Sequence, residues 1–101
     1  MPTIEQIRQK LQEEPDDVFL NYSLAMLQKK EGLTQEALTS FERCIELDPD
    51  YIAAYFHKGM YLASLGEVEQ ARTELETGIE RARSCGDEHA LGEMTEFLSA
   101  L

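Results

Sequence analysis

Basic residues are scarce in this chain: nine lysines and arginines stand against twenty aspartates and glutamates, a formal net charge of −11. A surface of that sign repels phosphate backbones and anionic headgroups, which argues against nucleic acid and membrane surfaces as partners. Tryptophan is absent and only two cysteines occur, Cys44 and Cys85, a usage that fits a reducing compartment. No apolar run approaches the roughly 18 residues that cross a membrane, and the Met1-Pro2-Thr3 start lacks the basic and apolar regions of a signal peptide. The expectation is a cytoplasmic protein in which Cys44 is a small core residue and Asn21-Tyr22-Ser23 a chance glycosylation match.

Patterns that carry chemistry are missing too. His57 and His89 are 32 residues apart, neither belongs to a His-Glu-x-x-His pattern, and neither has a cysteine at ligand spacing. There is no glycine-rich phosphate loop, no Gly-x-Ser-x-Gly elbow and no paired-cysteine redox motif. The carboxylates read as solvated helix faces with arginine at helical spacing, such as Glu76 with Arg72 and Glu80 with Arg83. These absences argue against an enzyme, a metal site and any cofactor.

What the chain does have is internal repetition. Gly32 and Gly66 lie 34 residues apart, and the same offset pairs Ala37 with Ala71, Phe41 with Leu75, Ile45 with Ile79 and Pro15 with Pro49. A helix-pair period of that length, with a turn glycine, an alanine and a closing Asp-Pro at fixed places, resembles the tetratricopeptide repeat family. The resemblance covers residues 15–85 strongly. It implies an all-α fold, a short right-handed superhelix of antiparallel helix pairs that binds other proteins. The 101 residues fit one domain, and three prolines and six glycines leave no room for a long linker.

About six helices are expected. An N-terminal helix over 3–14 opens on a Thr3-Ile4-Glu5-Gln6 capping box and stands where the second helix of an earlier repeat would be. Repeat one covers 18–51, with Thr34 the expected N-cap of its second helix, and repeat two covers 52–85. The second repeat lacks the closing Asp-Pro, so its last helix runs on until Gly86, and Asp87 caps a final helix over 87–101 that shields the end of the stack. Asn21, Gln28 and Lys58 stand where the family places large apolar residues; either packing is looser there or these side chains turn outward.

In the resembled family the first helix of each repeat lines the concave wall. Spacing then puts Phe19, Tyr22, Met26, Lys29 and Lys30 on that wall in repeat one, and Ala53, Phe56, Met60 and Ser64 in repeat two, with His57 at the margin. Aromatic rings beside methionines suit an adaptable groove for a short helical or extended peptide with apolar anchors, Lys29 and Lys30 taking an acidic residue at one edge. The competing readings are packing against the terminal helices and self-association into a homodimer. The family's carboxylate clamp of inward lysines and asparagines is not matched, since Tyr22 and Met26 occupy its inward places. The acidity itself has three readings: solubility, adaptation to high salt, or a basic partner.

Overall fold

The computed structural model describes residues 2–101; Met1, the first residue of the start sequence noted above, lies outside them. Among the described residues there are six helices and no strand: α1 (Ile4–Glu13), α2 (Val18–Lys30), α3 (Thr34–Leu47), α4 (Ile52–Ser64), α5 (Val68–Cys85) and α6 (Glu88–Ser99). They group into two compact units, one ending at Asp48 and the other beginning at Pro49. The first holds α1 and the α2–α3 hairpin, the second the α4–α5 hairpin and α6. Among the described residues no helix is long and apolar enough to cross a membrane.

Local chemistry sets the helix ends. Thr3 and Gln6 form the reciprocal capping box, the Gln6 amide donating to Thr3 Oγ1 at 3.2 Å and the Thr3 amide to Gln6 Oε1 at 2.9 Å. Gly32, Gly66 and Gly86 all take the left-handed conformation, with φ of 77°, 82° and 74°. Each closes a Schellman motif. The amides of Leu33, Glu67 and Asp87, which follow them, donate five residues back to Gln28, Leu62 and Ala82, each at 2.9 Å. The turns are so short that these same residues also open the next helix. The N-cap of α3 is therefore Leu33, with no side-chain cap bond, and Thr34 is already inside the helix, a correction to the expected cap. After Gly86 the same place holds an aspartate, and Asp87 Oδ1 accepts from the Ala90 amide at 3.1 Å.

In the first unit Leu24, Ala25, Ala37, Phe41 and Cys44 are buried, and Ile7 from α1 joins them. In the second, Ala54, Tyr55 and Leu62 of α4 face Ala71, Leu75, Ile79 and Ala82 of α5, and Met94 of α6 is fully enclosed. Burial pushes the Cys44 thiol from its ordinary 9.0 up to about 12, which leaves it protonated at neutral pH and consistent with a packing role.

The three polar residues at apolar places are neither loosely packed nor turned outward. Asn21 is buried, its amide donating to the carbonyls of Pro15 and Asp17 at 3.2 and 2.9 Å. Thirty-four residues on, Tyr55 fills the matching position and its hydroxyl donates to the Pro49 carbonyl at 2.6 Å. Two different side chains thus satisfy the same carbonyl of the repeat. Gln28 accepts from Ser40 at 2.6 Å inside the first hairpin, and Lys58 meets Glu74 at 3.2 Å inside the second, with Ser40 and Glu74 again 34 apart. Along α5, Arg83 pairs with Glu80 at 2.8 Å as expected, while Arg72 lies 4.0 Å from Glu69, the acid on its other side.

Candidate functional site

Helix α4 offers two stripes. Ala54, Tyr55, Gly59 and Leu62 are buried, which leaves Ala53, Phe56, His57 and Met60, at i, i+3, i+4 and i+7, on the adjoining stripe and half-buried. Helix α6 leans on α5 through Met94, with Leu91 and Leu98 packed beside it. That orientation turns Asp87, Ala90 and Glu93 toward the free stripe of α4. Between them lies a hollow of about 480 Å³ lined by Ile52, Ala53, Phe56, His57 and Met60 on one side and by those three residues on the other.

A second hollow of about 310 Å³ continues it, lined by Phe56, Glu93, Glu96, Phe97 and Ala100. Phe56 and Glu93 belong to both, so the two hollows are stretches of one groove. The Phe56 and Phe97 rings meet edge to face at 6.3 Å and 75°, a favoured aromatic geometry. Phe56 also packs on the Leu75, Ile79, Ala82 and Met94 cluster, so its position is fixed from beneath. The groove is apolar on its floor and acidic at its rim, where Asp87, Glu93 and Glu96 stand and no lysine or arginine contributes. Glu93 Oε1 lies 2.9 Å from Nε2 of the exposed His89.

The structure thus brings Phe56, His57 and Met60 together. The expected residues of the first unit line neither stretch of this groove. Phe19 is 63% exposed on α2, Tyr22 is half-buried with its ring edge-on to Phe41 at 6.4 Å, and Met26 is half-buried. Lys29 and Lys30 lie in the last turn of α2, where their charge complements the helix dipole. The hollow of about 310 Å³ in that unit is lined by other residues, among them Arg8, Gln28, Glu36 and Ser40. A larger one of about 550 Å³ is bounded only by Pro2 and the exposed α1 residues Gln6, Gln9, Lys10 and Glu13, a single helix surface without a facing wall. Among the described residues no group of three His, Cys, Asp or Glu side chains is placed to hold a metal.

Sequence reasoning treated α6 as a shield and so missed its share of the groove, Asp87, Ala90, Glu93, Glu96 and Phe97. The signal was present in the spacing of Ala90, Glu93 and Phe97 on the helix face beside the Leu91, Met94 and Leu98 stripe.

A family model described as tetratricopeptide repeat matches residues 28–92. A TPR repeat-containing protein of Pseudomonas aeruginosa is 32% identical over 97% of this chain and 93% of its own length. A tetratricopeptide repeat domain protein from Salinibacter ruber, solved by NMR, is 34% identical with a TM-score of 0.80, covering 85% of this chain and 87% of that one. The TPR2B domain of yeast Sti1, solved as a complex with pHsp70, has a TM-score of 0.87 over 95% of this chain and 77% of that one; at 18% identity the likeness is one of fold.

Proposed function

Because this chain belongs to the tetratricopeptide repeat family, whose fold generally mediates protein–protein interaction, we propose that it binds a short helical or extended segment of another protein through apolar anchors. The observation that carries this reading is the α4–α6 groove. Its floor of Phe56, Ala53, Ala90 and Met60 is apolar and preformed, and a rigid apolar hollow with polar groups confined to its rim favours an inserted side chain. Met60 and Ala53 are half-buried and have room above them that no residue of this unit fills. In the first unit, Phe19, Tyr22 and Met26 on α2, with Lys29 and Lys30 at its end, are at most a separate contact face of that unit.

Panning a random peptide library on the purified chain tests this. The expected result is an enriched set of segments sharing apolar residues at helical or alternating spacing. Their binding should drop about tenfold or more in Ala53→Gln/Met60→Ser, the loss of one or two anchor contacts. Those substitutions carry no charge, so the electrostatics of the rim are untouched. No enrichment, or equal binding to the double variant, would remove the groove from consideration.

Self-association through the same faces is the second reading, favoured by one observation, the exposure of Phe19. Light scattering over a dilution series separates it from the first: a mass of two chains that persists on dilution and falls to one in Phe19→Ser supports the homodimer.

A further inference from the structure

Resting on the groove reading above, we propose that the segment held between α4 and α6 is basic, with an apolar side chain entering between Phe56, Met60 and Ala90 and flanking lysine or arginine residues meeting Glu93 and Glu96. Three observations carry this. First, apart from His57, every titratable side chain lining the two stretches of groove is a carboxylate. Second, the chain's own cations are engaged elsewhere. Arg8, Arg43, Lys58, Arg72, Arg81 and Arg83 lie within 4.0 Å of acids outside the groove, and Lys10, Lys29 and Lys30 sit in the last turns of α1 and α2. Among the described residues, the carboxylates of the rim are thus not paired with the molecule's own lysines or arginines.

Third, the geometry couples anchor and charge. Glu93 borders both hollows and Glu96 is one turn further along α6, beside Phe97. A side chain seated in the larger hollow therefore carries its neighbours past one carboxylate and then the other. Covering the Phe56–Phe97 pair also excludes water from the rim, which lowers the local dielectric and strengthens the attraction. The His89 imidazole beside Glu93 is 87% exposed, so it can give way to water when a cation arrives. An acidic segment would meet the same rim as repulsion and would be rejected, which makes the rim a device for choosing partners more than for raw affinity.

Two synthetic probes test the sign: a short amphipathic peptide of leucine and lysine, and its counterpart with glutamate for each lysine. Fluorescence anisotropy should show the lysine peptide binding and the glutamate peptide failing to bind. Because any acidic protein attracts a basic peptide, the deciding comparison is between two variants that each lose two carboxylates. Glu93→Gln/Glu96→Gln should weaken the lysine peptide about fivefold at low salt, with the difference shrinking at about 0.5 M salt. Glu69→Gln/Glu76→Gln on α5, which lines neither hollow, should stay close to the parent. Equal weakening in both variants, or none in the first, would overturn the inference. The two readings fail separately. Panned segments that require Ala53 and Met60 but prove neutral or acidic would leave the groove standing and remove its basic partner.

Discussion

Gly78 and Gly92 are both helix-interior glycines, yet a methyl group added at each would meet different surroundings. At Gly78 the new carbon would lie 2.7 Å from Tyr55 Cβ and 2.9 Å from Met94 Sδ, whereas at Gly92 nothing comes within 4 Å. The thioether can swing aside, but Tyr55 Cβ is tied to the α4 backbone. The first hairpin solves the same contact the other way round, with Cys44 and Asn21 at the places of Gly78 and Tyr55. Alanine gains about 1 kcal/mol over glycine inside a helix, while overpacking a fixed core costs about 1–3 kcal/mol. Gly92→Ala should therefore stabilise the protein by up to about 1 kcal/mol, and Gly78→Ala should destabilise it by up to about 2 kcal/mol once the two effects are combined. Urea unfolding of the two variants checks this; a Gly78→Ala protein as stable as the parent would mean that α4 and α5 can separate without penalty.

At the scale of the helical hairpin, the two repeats share a backbone plan and differ in the polar pair that crosses it. In α2–α3 it is the neutral Gln28–Ser40 pair, and in α4–α5 the ionic Lys58–Glu74 pair, whose side chains are only 12% and 17% exposed. A charge with so little solvent contact depends on its partner, so Lys58→Met alone should cost about 2–3 kcal/mol by stranding the Glu74 carboxylate, and the double variant Lys58→Met/Glu74→Leu should recover most of it. A double-mutant cycle measures the difference, and additive losses would show that the two residues act independently. Elements of this plan that depend on one residue type at one spacing were legible in the sequence: the turn glycines, the Thr3–Gln6 box, and the alanines Ala37 and Ala71 one turn before Phe41 and Leu75. Features that depend on two helices meeting were not. Lys58 could not be placed without knowing that Glu74 lies across from it, and Thr34 looked like a cap because the sequence does not reveal that a Schellman turn makes Leu33 serve both helices. The groove was half legible for the same reason. Phe56, His57 and Met60 follow from the period of α4, but Glu93 and Phe97 enter only through the angle at which α6 leans on α5.

For the whole molecule, charge is the dominant imbalance. Twenty carboxylates face nine cations, and folding gathers them onto one small surface, so self-repulsion opposes the folded state. The ion pairs that relieve it locally are mostly exposed, such as Arg43–Asp16 at 2.7 Å and Arg81–Asp50 at 3.4 Å, and pairs of that kind contribute at most about 1 kcal/mol each. Salt screens both effects, with a Debye length falling from about 30 Å at 0.01 M to about 3 Å at 1 M. The net repulsion involves many distant charges and the pairs only a few close ones, so screening should favour folding. Thermal melts followed by circular dichroism should rise by roughly 5 °C between these two salt concentrations, the shift that about 1 kcal/mol produces in a domain of this size. A melt that stays flat or falls would mean that the local pairs outweigh the net charge. A basic segment lying along Glu93 and Glu96 would act on the folded state as salt does, but at one place, so the stabilisation it brings should be greatest where salt is least. If the bound segment is basic, the charge that weakens the free protein is the same charge that would select what it binds.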